Sequence, residues 1–137
     1  ACFGAPFLPL HPGKYAAMLG KKMQENNVNV WMINTGWTGG AYGTGSRMKL
    51  KYTRAMITAA LEGTLNNAEF INDPIFGMAV PTSCPDVPAE LLQPRNTWTD
   101  KNAYDEKAKY LAGLFVKNFE KYKDGVSEEI LAAAPKA

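Results

Sequence analysis

The spacing of apolar positions changes several times along this chain, and each change predicts an element. After His11-Pro12, residues Tyr15, Met18, Leu19 and Met23 recur at helical spacing, with Lys14, Lys21 and Lys22 on the outer face. Pro12 suits the first helical position, where its missing N–H costs nothing, and His11 reads as the cap before it. Asn26-Asn27 ends that helix. Val28-Asn29-Val30-Trp31-Met32-Ile33 is short, mostly apolar and rich in β-formers, which predicts a buried strand. Helical spacing returns from about Leu50 to Glu62 through Thr53, Met56, Ile57, Ala60 and Leu61, and Gly63 closes it as the residue past the helix end.

Phe70-Ile71 and Ile75 to Val80 read as strands interrupted by Asp73-Pro74. Pro81, Pro85, Pro88 and Pro94 make the next segment irregular, with at most one helical turn at Ala89 to Leu92. A long helix follows from about Asp100 to Lys123. Its apolar stripe is Tyr104, Ala108, Leu111, Phe115, Phe119 and Tyr122, broadened by Leu114. Asp124-Gly125 stops it, and Ser127 caps a last short helix that Pro135 ends. Strands alternating with amphipathic helices predict an α/β fold, a mixed sheet with flanking helices.

The run from Asn34 to Arg47 breaks the periodicity. Gly36, Gly39, Gly40, Gly43 and Gly45 fall in one ten-residue window, so the backbone there must pass close to something. Arg47, Lys49, Lys51 and Arg54 follow, and no Asp or Glu occurs between Glu25 and Glu62. A glycine-rich loop opening onto uncompensated cations suits an anionic ligand such as a nucleotide phosphate. The same spacing also fits a plain surface loop. It is not a catalytic phosphate cradle. Gly40 and Gly45 have the GxxxxG spacing, but Ser46 stands where the lysine is needed and Arg47 where a magnesium-binding hydroxyl is needed.

Composition narrows the class. At 137 residues the chain is about one domain, and 46% apolar with 20% charged residues describes a globular protein. A net charge of +2 gives no argument for nucleic acid or an anionic membrane, and no apolar run approaches the ~18 residues of a membrane span. Cys2 and Cys84 with a single histidine are too few for a zinc site. Two cysteines allow a disulfide on paper, but reduced, buried thiols fit better, so the expected location is the cytoplasm. The apolar start at Ala1 suggests a cut through a larger protein, whereas Ala132 to Ala137 reads as a natural C-terminus.

Other polar residues read blandly. Thr53 sits one turn into its helix, where its hydroxyl serves a ligand or its own backbone. The carboxylates Asp100, Asp105, Glu106, Glu120, Glu128 and Glu129 look like solvated helix faces beside lysines. Trp37 either packs on a ligand or pins the loop to the body. On chemistry alone the chain lacks a complete active site, which leaves open part of an enzyme, a non-catalytic nucleotide- or anion-binding module, or a purely structural piece.

Several motifs in order carry a resemblance. Ala1 to Pro12, the Asn34-Thr35-Gly36-Trp37 segment, Gly43-Thr44-Gly45-Ser46-Arg47 with Lys51-Tyr52-Thr53-Arg54, and Pro94-Arg95-Asn96-Thr97 resemble the C-terminal portion of ATP-dependent phosphoenolpyruvate carboxykinases. The resemblance implies that residues 1–137 are part of the C-terminal nucleotide-binding domain of such an enzyme. Its reaction converts oxaloacetate and ATP to phosphoenolpyruvate, ADP and CO₂, an entry step to gluconeogenesis, with Mg²⁺ and Mn²⁺. It implies that the P-loop and metal ligands lie upstream, so the segment alone is inactive, and that Arg47, Met48 and Thr53 contact the adenosine part of ATP. The chain departs from the common pattern at Ser46, where many relatives carry lysine, and in the extended Thr38 to Tyr42 loop.

Overall fold

A computed structural model describes residues 4–136. Six α-helices and four short strands follow in the order α1 (Pro12–Asn26), β1 (Trp37–Thr38), β2 (Ser46–Arg47), α2 (Leu50–Leu61), β3 (Phe70–Asn72), β4 (Ala79–Pro81), α3 (Ala89–Leu92), α4 (Pro94–Thr97), α5 (Lys101–Phe119) and α6 (Glu128–Ala132). Single 3₁₀ turns lie at Ala5–Phe7, Thr64–Asn67 and Glu120–Tyr122.

The helix ends follow from local chemistry. His11 Nδ1 accepts from the Gly13 N–H at 3.1 Å and Pro12 opens α1, while Asn27 leaves it with φ 47°. Gly63 follows α2 in the left-handed conformation, as its position predicts. Asp100 accepts from the Asn102 and Ala103 N–H groups at the start of α5, and Ser127 Oγ from the Ile130 N–H at the start of α6. Between α4 and α5, Arg95 makes two parallel hydrogen bonds to Asp105, at 2.7 and 2.9 Å. That carboxylate, expected to be a solvated neighbour of lysines, is a structural tie.

The strands form two antiparallel pairs. Trp37 lies opposite Arg47 and Thr38 opposite Ser46 in one; Phe70, Ile71 and Asn72 face Pro81, Val80 and Ala79 in the other. The second pair turns at Asp73, whose carboxylate accepts from the Ile75 and Phe76 N–H groups. The strand expected at Val28 to Ile33 is not formed among the described residues. A strand exists only through a neighbouring ladder, and none of the described residues forms one beside this segment. Trp31 instead turns inward to stack on Phe70, with ring centroids 6.0 Å apart, while Val28, Val30 and Met32 stay exposed.

The main core is small: Ala59, Leu65, Cys84, Val87 and Leu92, flanked by Trp31, Tyr52, Met56 and Leu91. Ala108 and Ala112 of α5 are also buried, yet Leu111, Leu114 and Phe115 of the expected core stripe remain about half exposed. The accessible surface is 10360 Å², against about 7,000 Å² for a compact monomer of this size. The excess includes large apolar side chains such as Met32 and Leu61.

Candidate functional site

The glycine-rich loop is the tip of the β1–β2 hairpin. The Met48 N–H donates to the Gly36 carbonyl at 2.6 Å, extending the ladder by one rung, and residues 39–45 close the turn. The Thr44 and Gly45 N–H groups both donate to the Ala41 carbonyl, at 3.0 and 2.8 Å. A Cβ at position 45 would lie 2.4 Å from the Gly40 carbonyl oxygen and 2.5 Å from that of Thr38. What the glycines of the GxxxxG spacing approach is therefore the loop's own backbone. This is the physical reason the spacing appears here without a phosphate-binding lysine.

Arg47 and Trp37 face each other across the hairpin, so their side chains share one side of it. The guanidinium lies 5.6 Å from the centre of the Trp37 ring, within cation–π range. Trp37 also meets Tyr42 edge-on, 5.1 Å between centroids. The tryptophan thus braces the loop against itself and its arginine. Arg47 is exposed, so a planar cation is held by a neighbour yet open to a ligand.

Two residues separate Arg47 from the first residue of α2, so the hairpin delivers Met48 and Lys49 directly onto the positive end of a twelve-residue helix. Lys49 occupies the cap position without a side-chain cap bond, and Lys51 and Arg54 lie in the first turns. Thr53 is the fourth helical residue and is half-buried. Met48 is half-buried and Arg47 exposed. Arg47, Met48 and Thr53 thus lie within seven consecutive residues that span the hairpin-to-helix junction, a stretch without carboxylates.

Across the hairpin runs an open cleft of about 370 Å³ against α3 and α4, where Thr38, Gly39 and Ser46 face Glu90, Asn96 and Thr97. Thr97 Oγ1 accepts from the Gly39 N–H at 3.0 Å and donates to the Pro94 carbonyl at 2.7 Å. Lys101 Nζ donates to the carbonyls of Asn96 and Trp98 at the end of α4. Thr97 belongs to the Pro94-Arg95-Asn96-Thr97 motif, but a contact spanning 58 positions leaves no trace in local spacing.

The remaining candidates are structural. His11 caps α1. Cys84 is a free, buried thiol whose pKa is raised by burial and secondarily by Asp86; Cys2 lies outside the described residues. Among the described residues, no group of three His, Cys, Asp or Glu side chains could hold a metal ion. No helix among them is long and apolar enough to cross a membrane.

Comparison with known proteins adds the lineage. The family profile described as phosphoenolpyruvate carboxykinase matches residues 1–90. Proteins named phosphoenolpyruvate carboxykinase (ATP) are similar throughout. That of Flavobacterium johnsoniae is 67% identical over 98% of this chain and 25% of its own length; that of Christiangramia forsetii is 61% identical over the same shares. The Thermus thermophilus protein is 55% identical over 99% of this chain and 26% of its own length. The chain therefore spans about a quarter of the length of the curated relatives it matches. With the profile matching residues 1–90 and these relatives 55% or more identical over 98% or more of its length, the chain belongs to the phosphoenolpyruvate carboxykinase family.

Proposed function

We propose that this chain is the part of an ATP-dependent phosphoenolpyruvate carboxykinase that holds the nucleoside side of ATP. The parent reaction takes oxaloacetate and ATP to phosphoenolpyruvate, ADP and CO₂, in gluconeogenesis and in the cytoplasm. The observation that carries the reading is the junction at Arg47. A guanidinium braced on Trp37 and open to solvent stands before a helix N-terminus flanked by Lys49, Lys51 and Arg54. Such an arrangement offers an anion backbone N–H groups and charge, and offers a base a planar cation on which to stack. Arg47, Met48 and Thr53 are the proposed nucleotide contacts.

Catalysis needs more than this. Phosphoryl transfer rests on positioning and charge stabilisation of the reacting phosphates, supplied by metal ions and a lysine cradle. We assign the lysine cradle and the ligands of the Mg²⁺ and Mn²⁺ used by the reaction to polypeptide upstream of this chain, as the resemblance implies. We place residues 1–137 in the C-terminal nucleotide-binding domain, whose larger mixed sheet the rest of the enzyme would complete. The exposed Val28, Val30 and Met32 and the surplus apolar surface support that placement.

Two measurements test the proposal. Purified 1–137 is expected to show no ATP-dependent decarboxylation of oxaloacetate; turnover near that of a whole enzyme overturns the division of labour. In the full-length polypeptide carrying this segment, ATP at one hundred times Kd is expected to stabilise the fold by roughly 2.7 kcal/mol. Arg47→Ala is expected to reduce that stabilisation and raise KM for ATP. An unchanged KM in Arg47→Ala removes the nucleotide assignment, and ATP stabilisation without decarboxylation in the full-length protein favours a non-catalytic binding module.

A further inference from the structure

We infer that Thr97 is a positioning residue for Arg47, transmitting the rigidity of α5 to the glycine hairpin; this rests on the reading of Arg47 as a nucleotide contact. Hydrogen bonds within the hairpin fix its internal shape but not its place on the protein. Among the described residues, the bond from the Gly39 N–H to Thr97 Oγ1 is the one that ties residues 36–48 to a distant part of the chain. Gly39 adjoins the Thr38–Ser46 rung, and the next rung is Trp37–Arg47. A displacement at Gly39 therefore reaches Arg47 through two paired positions of the hairpin.

The anchor is itself held firmly. Thr97 spends its own proton on the Pro94 carbonyl, which fixes its rotamer and turns an oxygen lone pair toward Gly39. α4 is tied to α5 by the two-point bond between Arg95 and Asp105, and Lys101 Nζ binds the carbonyls of Asn96 and Trp98 around it. Gly39 also meets this turn through space. A Cβ there would stand 3.2 Å from the Thr97 carbonyl oxygen, and the backbone has φ +77°. The loop is thus seated against α4 by contact as well as by hydrogen bonding. The hydroxyl's single proton and one of its two lone pairs are committed within the protein, which holds the side chain in this orientation.

The test is a double-mutant cycle in the full-length carboxykinase. Thr97→Val keeps the side-chain shape but removes the acceptor, leaving the part-buried Gly39 N–H unpaired. It is expected to raise KM for ATP about fivefold, the worth of one hydrogen bond, with kcat little changed. Thr97→Ser keeps the hydroxyl and is expected to restore KM, which a purely packing role of the methyl group would not allow. In an Arg47→Ala background, Thr97→Val is expected to add no further loss, since Thr97 acts through Arg47. Additive losses, or an unchanged KM in Thr97→Val, overturn the positioning role while leaving the nucleotide assignment to Arg47→Ala alone. Should Thr97→Val fail to fold, the serine variant decides: a KM raised as far as in Thr97→Ala refutes the hydroxyl's role, and a native KM supports it.

Discussion

Replacing Gly45 by alanine tests whether the glycine hairpin is closed by backbone contact. Gly45 has no left-handed φ, so alanine meets no conformational objection there. The obstacle is space. The new methyl would sit 2.4 Å from the Gly40 carbonyl oxygen, 2.5 Å from that of Thr38 and 2.8 Å from the Gly40 nitrogen. Ordinary contact begins near 3.4 Å, so relief requires the two sides of the loop to part by about 1 Å (3.4 less 2.4). All three obstructing atoms are backbone and none can rotate away. An opening of that size stretches the 2.8 Å bond from Gly45 to Ala41 beyond hydrogen-bonding range. Overpacking of this kind costs about 3 kcal/mol, the upper part of its usual range. Amide hydrogen exchange over residues 38–48 of the full-length protein reads this directly, because 3 kcal/mol of local opening speeds exchange roughly a hundredfold. Gly20→Ala, in α1 with no atom within 4 Å of the new methyl, is the control and is expected to stabilise its helix by about 0.5–1 kcal/mol. Native exchange in the Gly45→Ala hairpin would refute the steric account.

Three further outcomes follow from other parts of the chain. The hydrogen bonds from Arg95 hold the Asp105 carboxyl below its ordinary pKa. A depressed folded pKa contributes stability above the unfolded value near 4, lost as pH falls through the folded one, so below about pH 4 the α4–α5 tie is expected to release. Asp105→Asn should flatten that acid dependence in hydrogen exchange of residues 94–98, and an unaltered acid profile would remove the pair from the linkage. Asp100→Ala withdraws an acceptor shared by two N–H groups and is expected to cost about 1 kcal/mol at the start of α5, seen as about fivefold faster exchange at Asn102 and Ala103. Cys84, buried and with its thiol pKa raised, is expected to react with iodoacetamide at pH 7.5 more slowly than a free cysteine peptide; equal rates would contradict its burial.

The candidate site was legible in the sequence to different depths. The acid-free stretch from Glu25 to Glu62 and the clustered glycines marked the place from composition alone. The roles of Arg47, Met48 and Thr53 entered through resemblance, because no local pattern distinguishes a nucleotide arginine from a solvated one. The bracing of Arg47 by Trp37 depends on a register that pairs residues ten apart, and Thr97 reaches Gly39 across 58 positions.

The amino-acid order by itself determined what neighbouring residues decide among themselves. The His11 and Ser127 caps, the left-handed exit at Gly63, the single turn at Ala89–Leu92 and the extent of α1 and α2 all rest on contacts within about four residues, so their signals are local. Tertiary structure decided whatever needs a second segment. Val28 to Ile33 has the composition of a strand but no ladder beside it among the described residues. The stripe of α5 is half exposed for the same reason, because an apolar face becomes a core only where another surface covers it.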